Sequence, residues 1–316
     1  MNTVNCVVET EAPRARDWTD ELAEQLSPGS LLRRDESLAR HTTLRVGGPA
    51  DAYIEPASEA DLAAILKFCG AHDRAFLLLG RGSNLLVRDG GFRGVVISMA
   101  QPVFGRIEVE GERLRCGAGA KLKLVAVEAR KRGLAGMEFL EGIPGSLGGG
   151  LRMNAGAMGG ALFDVVESVR LMGYQGDAAE CTGTELSAEY RSCPALHTRI
   201  ALGAVLRGRP DSQESIAQRM IAFSRKRWTS QPAAPSAGCM FKNPVSIPAG
   251  RLIDELGLKG TRVGGARVSL EHGNFIVNDG AATAREVLTL IELLQDRARH
   301  ERGIELHTEV EIVGED

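Results

Sequence analysis

The sequence predicts an α+β protein of more than one unit, on three observations. Short apolar runs broken by glycine recur from His41 onward, the texture of strands joined by tight turns. Two stretches, Ser58-Glu-Ala-Asp61 and Thr283-Ala-Arg-Glu286, carry the pattern of a capping box that opens a helix. The chain has 316 residues, beyond the roughly 100 to 200 of one ordinary domain, so two or three units are expected.

In chain order, residues 1–34 read as a polar leader, an appendage with one amphipathic stretch from Trp18 to Leu26 that ends at Pro28-Gly29. Asp51 to Glu55 reads as a strand, and the helix opened at Ser58 buries Leu62, Ile65, Leu66 and Cys69. The apolar run Ala75 to Leu79 is a buried strand that delivers the chain into Gly80-Arg-Gly-Ser-Asn-Leu-Leu-Val87, with another strand at Gly94 to Ser98. A strand at Arg113 to Gly117 and a helix from Lys121 to Arg132 lead into the most glycine-dense tract, Glu141 to Ala157. A polar turn at Gly208 to Ser212 precedes a helix from Glu214 to Trp228 and marks a domain boundary near 208. The helix opened at Thr283 buries Val287, Leu290, Ile291 and Leu294 and stops at Gly303. A last strand alternates, with Ile304, Leu306, Thr308, Val310 and Ile312 on one face and Glu305, His307, Glu309 and Glu311 on the other.

Composition narrows the function. Hydrophobic residues are 43% and charged residues 25%, the balance of a soluble globular protein. A net charge of -3 gives no basic footprint, so neither nucleic acid nor an anionic membrane is an expected partner. No apolar run of about 18 residues and no signal-peptide pattern occurs, which leads to the expectation of a cytoplasmic protein without membrane insertion. Six scattered cysteines with no CxxC pair predict free thiols and no metal site.

Glycine turns matter chemically because backbone N–H groups there can surround phosphate oxygens. Neither Gly80-Arg-Gly82 nor Gly117-Ala-Gly119 fits the Rossmann fingerprint, and no Walker A sequence occurs. Each tract reads equally as tight turns or as a ligand cradle, and only their pairing points to a nucleotide cofactor. Cys239, in Ser236-Ala-Gly-Cys-Met-Phe-Lys-Asn-Pro244, reads as a proton donor or a packed cysteine, and residue statistics favour the packed one. Arg191 has the fork that clamps a carboxylate, although alone it reads as a surface arginine. Glu309 shares a polar strand face with three other ionisable residues, which reads as a solvated sheet face.

These segments, in this order, resemble the UDP-N-acetylenolpyruvoylglucosamine reductase family, also called UDP-N-acetylmuramate dehydrogenases. The likeness runs from about His41 to the C-terminus. It rests on His41-Thr-Thr-Leu-Arg-Val-Gly-Gly-Pro-Ala50, Gly80 to Val87, Gly142 to Ala157, Tyr190-Arg191, Ser236 to Pro244, Leu258-Lys-Gly-Thr-Arg-Val-Gly-Gly265, Asn274 to Asn278 and Glu309-Val-Glu-Ile-Val-Gly314. The resemblance implies an FAD-binding region of the vanillyl-alcohol-oxidase (PCMH) type over 35–208, with two α+β subdomains split near 100. A smaller α+β substrate domain over 209–316 follows, of the shorter of the family's two subtypes.

It also implies bound FAD, with NADPH as hydride donor and a UDP-sugar enolpyruvyl ether as the substrate reduced in peptidoglycan precursor synthesis. Matching positions assign the cofactor to Thr43, Gly47, Gly48, Gly80, Arg81, Gly82, Ser83, Asn84, Leu85, Gly142, Pro144, Gly145, Ser146, Gly148, Gly149, Asn154, Gly156 and Ala157. They make Arg191 the carboxylate clamp, Glu309 its helper and Cys239 the proton donor, and they bring Tyr190, Arg227, Lys242, Asn243 and His272 to the UDP-sugar. Cysteine stands at 239 where the family more commonly has serine. A thiol of ordinary pKa, about 8.5, is the better acid, so the role survives. Cys193 likewise replaces a usual serine. The competing expectations are an FAD-dependent carbohydrate or alcohol oxidase and a non-catalytic nucleotide-binding relative.

Overall fold

Strand β1 (Leu31–Ser37) pairs antiparallel with β2 (Pro49–Glu55), which lies parallel to β5 (Phe92–Ser98), with β3 (Phe76–Leu79) parallel to β5 at the far edge. This is the first unit of the computed structural model, which describes residues 17–316. Helix α2 (Glu59–Ala71) covers the sheet with Leu62, Ile65, Leu66, Phe68 and Cys69, packed on Ala52, Ile54, Val95 and Ile97. The stretch expected to be an appendage belongs to this core. Helix α1 (Trp18–Glu24) buries Leu22 completely, and Trp18 stacks on Phe68. Residues 1–16 of the expected leader lie outside the described residues.

The local chemistry explains the docking of α1. Ser58 caps α2 as expected, accepting from the Asp61 N–H at 3.1 Å. The Asp61 carboxylate accepts instead from the Ser27 N–H and Oγ, at 2.8 and 2.9 Å, and so ties the segment after α1 to the start of α2. The second box is reciprocal: Thr283 and Glu286 cap each other at the start of α7 (Ala284–Arg302), and Gly303 ends that helix in the left-handed conformation.

The second unit is an antiparallel sheet in the order Ala178–Thr182, Val166–Gly173, Arg199–Arg207, β7 (Arg113–Gly117) and β6 (Ile107–Glu110). Helix α3 (Leu122–Lys131) and the short helix α4 (Leu147–Arg152) pack on it. So does α5 (Gln213–Ser230), whose Ile216 and Met220 join this core and whose Arg219 Nε donates to Glu138 at 2.9 Å. The helix expected to follow a boundary near 208 therefore packs its apolar stripe on the core that precedes it in the chain.

The third unit has a four-stranded antiparallel sheet, Ser236–Cys239, Phe275–Asn278, Ala266–Val268 and Arg262–Val263, with α6 (Ala249–Glu255) and α7. The expected last strand is a strand only at Glu311–Val313, which pairs parallel with β4 (Leu85–Val87) in the first unit. Its inner alternation persists, with Leu306 and Val310 buried. The preceding residues run along the Cys239 segment instead of a sheet: Glu309 N–H donates to Met240 O at 2.8 Å, and Lys242 N–H to His307 O at 2.9 Å.

The third unit is stitched to the first by side chains. Thr43 Oγ1 donates to Ser236 O at 2.7 Å, and Asn278 Nδ2 to Leu44 O at 3.1 Å. The Asp89 carboxylate accepts the first N–H groups of α7, from Ala284 and Arg285.

Candidate active site

The three units meet around a cavity of about 490 Å³ lined by both glycine tracts, Arg191, Arg227, Cys239 and Glu309. A second cavity of about 820 Å³ adjoins it, lined by Thr43, Tyr53, Lys121 and Ser236 and sharing Gly80, Arg81, Pro144, Ser146 and Arg227 with the first. The two form one long cleft.

The glycine turn after β3 exists because a side chain has no room there. Gly82 has φ +58, and a Cβ on it would lie 2.4 Å from His41 O. The turn leaves the backbone N–H groups of Arg81, Gly82, Ser83 and Asn84 without a hydrogen-bond partner among the described residues. Consecutive free N–H groups on a tight turn form a concave anion site. Across the cleft, the Gly149 N–H is equally free, and a Cβ at Gly149 would meet nothing closer than Ser146 Oγ at 3.6 Å. This donor set, on a cleft long enough for a dinucleotide, fits FAD.

Of the residues expected to hold the cofactor, Thr43, Gly80 to Leu85, Pro144 to Ser146, Gly148, Gly149, Gly156 and Ala157 line the cleft. Gly47, Gly48, Gly142 and Asn154 do not. A Cβ on Gly48 would lie 2.1 Å from Asp89 O, so that pair serves backbone packing. Gly142 presents its carbonyl to the Arg227 guanidinium. Asn154 Nδ2 donates to Glu189 O at 3.0 Å and so pins the loop that carries Tyr190 and Arg191.

Arg191, Cys239 and Glu309 converge. Arg191 Nε lies 2.9 Å from Glu309 Oε1. That approach is a charge contact rather than a directed hydrogen bond, because the buried Nε–H has no acceptor among the described residues. Arg191 Nη1 donates to Gly156 O at 3.3 Å, and the backbone holds φ +58, a conformation strained for any side chain but glycine. Glu309 is not on a solvated face: its side chain is 13% exposed, and burial raises its pKa against the pull of Arg191 and Lys242. The Cys239 thiol departs further from expectation. Burial, helped by the Glu309 charge, pushes it up to about 11 against Arg191 and Arg227, so it is protonated throughout the neutral range.

Arg227 reaches both cavities from the last turn of α5, and burial lowers its pKa. Tyr190 is 65% exposed with the Arg191 guanidinium 5.2 Å over its ring, and Lys242 is exposed beside Glu309. Neither lines either of these cavities, nor do Asn243 and His272. Asn243 Oδ1 accepts from Ala249 N–H at 3.0 Å at the start of α6, and His272 Nδ1 accepts from Asn274 N–H at 3.1 Å in the turn before Phe275–Asn278.

Sequence reasoning passed over Asn274, buried and bonded both ways to the Phe241 backbone at 2.9 and 2.7 Å, which fixes the loop after Cys239. Its presence in a quoted motif was the available signal. Lys121, Arg152 and Gln231 also line the cleft without having been singled out.

Comparison with known proteins follows the same division of the chain. Residues 50–182 match the family described as FAD binding domain, and residues 231–313 match UDP-N-acetylenolpyruvoylglucosamine reductase, C-terminal domain. The chain is 44% identical over 289 residues to the UDP-N-acetylenolpyruvoylglucosamine reductase of Geobacter metallireducens, covering 91% of this chain and 95% of that protein. It is 40% identical over 283 residues to the reductase of the same name from Bacillus subtilis, covering 89% and 93%. The crystal structure of the Thermus caldophilus UDP-N-acetylenolpyruvylglucosamine reductase superimposes with a TM-score of 0.77 at 38% identity, covering 89% of this chain and 99% of that one.

Proposed function

The chain belongs to the UDP-N-acetylenolpyruvoylglucosamine reductase family and is an FAD-dependent oxidoreductase of peptidoglycan precursor synthesis; we propose that its cleft reduces UDP-N-acetylglucosamine enolpyruvate to UDP-N-acetylmuramate with NADPH as electron source. The observation that carries the site assignment is the convergence of Arg191, Glu309 and Cys239 in the cleft, with Arg191 Nε 2.9 Å from the Glu309 carboxylate. Among the described residues no helix is long and apolar enough to cross a membrane, and the reading makes the enzyme cytoplasmic.

The cleft would hold FAD by the free N–H groups of the 81–84 turn and Gly149. When bound, that group supplies the hydride for the methylene carbon of the enolpyruvyl double bond. Charge then builds on the neighbouring carbon and its carboxylate. The Arg191 guanidinium meets that charge as it develops, which is where a donor accelerates most. Glu309, its carboxyl held toward the protonated form, shares a hydrogen bond with the same carboxylate. Cys239 closes the reaction: its S–H bond breaks, a C–H bond forms on the adjacent carbon, and the thiolate left behind faces Arg191 and Arg227 until solvent returns the proton.

The test is anaerobic stopped-flow absorbance of the purified holoenzyme, reduced with NADPH and mixed with the enolpyruvyl UDP-sugar. Rapid return of the oxidised flavin spectrum is expected; a flavin that stays reduced until oxygen is admitted would replace this reading with an oxidase.

A further inference from the structure

Gln231 closes α5, and its side chain enters the cleft. The helix stops at Ser230 because Pro232 follows: a residue before proline is driven out of the helical region, and Gln231 is extended at φ −128, ψ 144. Its N–H still donates to Arg227 O at 2.9 Å, so the residue is held by the helix it leaves and by the proline it precedes. The side-chain Oε1 is buried and has no hydrogen-bond partner among the described residues. A buried carbonyl oxygen left unbonded is unfavourable. Its place on the wall of a ligand cavity points to a partner that the ligand brings.

The neighbouring groups on the wall help to define that partner. Arg191, Arg227, the Cys239 thiol and the free N–H groups of the glycine turn are donors suited to anionic oxygens, while Glu309 and Glu311 present charged acceptors. Gln231 adds an acceptor without charge, which suits an uncharged N–H. We propose that Gln231 is a recognition residue of this cleft, its Oε1 accepting a hydrogen bond from a neutral N–H of the bound ligand. Two groups of that chemistry come to the cleft, the imide of the flavin ring and the acetamido group of the sugar. The identity of these two rests on the reductase reading; the unmet acceptor does not.

Gln231→Leu and Gln231→Glu proteins, stripped of flavin, are melted without ligand, titrated with FAD by fluorescence, and assayed for KM and kcat after reconstitution. Leucine in place of an unbonded acceptor leaves the ligand-free melting temperature unchanged or higher, whereas an amide with a structural role would lower it. Loss of the contact raises the FAD Kd about ten-fold if the flavin is the donor; if the sugar is, KM rises about ten-fold with kcat within about two-fold. Gln231→Glu, which keeps an acceptor, loses less of whichever quantity moves. A Gln231→Leu protein with FAD Kd and KM both within about two-fold of wild type, or with a lower ligand-free melting temperature, overturns the proposal. Failure of the reductase reading shows separately, as wild-type enzyme that leaves the enolpyruvyl sugar unreduced while its FAD titration stands.

Discussion

The side-chain amide of Asn84 donates to the main-chain carbonyl of Glu309 at 3.1 Å, so the 81–84 glycine turn also fixes the backbone of the glutamate across the cleft. The Glu311 N–H returns a bond to Asn84 O at 3.0 Å. Asn84→Ala is therefore expected to lower kcat about ten-fold while leaving most of the FAD affinity in place, because the cradle's N–H groups belong to the backbone. Steady-state kinetics beside an FAD titration would check it, and an effect on flavin affinity alone would confine Asn84 to the cradle.

Burial pushes the Cys239 thiol up to about 11, far above neutral pH. The thiol is the acid form and is lost as pH rises through that value, so no decline of kcat between pH 7 and 9 should trace to this residue. Cys239→Ser keeps measurable turnover, and Cys239→Ala loses about 10²- to 10⁴-fold, the range of general acid catalysis. A pH-rate profile with single-turnover kinetics of both variants decides this; equal turnover in wild type and Cys239→Ala removes the assignment.

Glu309 presents the opposite case from an exposed acid, with its carboxyl raised by burial. Its protonated form extends to higher pH than for a free glutamate, and a rate that depends on that form falls as pH rises through the raised value. Glu309→Gln keeps a permanent N–H donor, so its pH-rate profile is expected to lose this limb. Retention of the limb in the variant would assign it to another group.

Arg191 combines function with strain. Replacing it with lysine removes the planar fork and is expected to lower kcat by about 10²-fold. Arg191→Gly relieves a left-handed backbone at φ +58 and should cost little stability or raise it by about 1 kcal/mol, while abolishing turnover. Chemical denaturation with activity assays reads both, and a large stability loss in the glycine variant contradicts the strain argument.

Leu22 is completely buried beneath α2. Leu22→Ala is expected to destabilise the protein by about 2–5 kcal/mol, as for other buried leucines. An unchanged melting temperature would return α1 to the status of an appendage.

Much of this architecture was legible from the chain. Helix α7 declared itself by a capping box, a four-residue apolar stripe and a closing glycine, all local signals that tertiary packing did not override. The misreadings share a cause. Ile216 and Met220 announce that α5 buries a face but not against which core, so its packing on the preceding unit is not legible in the sequence. Helix α1 is seven residues long and offers one fully buried leucine, too little periodicity to distinguish docking from exposure. Glu309 alternated correctly, yet its neighbours ran along the Cys239 loop rather than a sheet, turning an apparently solvated face into a cleft wall. Burial also set the Cys239 proton affinity, which no spacing reveals. Asn243 and His272 match the family pattern, and the side-chain hydrogen bonds each makes go to nearby backbone, the N–H groups of Ala249 and Asn274.

The pairing of β4 with Glu311–Val313 has a consequence for how the protein is made. A growing chain that has left the ribosome as far as Ala157 has both glycine turns but neither Cys239 nor Glu309, and β4 still waits for its partner. Such a nascent chain has the turns before it has the Cys239 and Glu309 segments. The pairing of Glu311–Val313 with β4 joins stretches far apart in the chain, the kind of long-range contact that costs most loop closure to form.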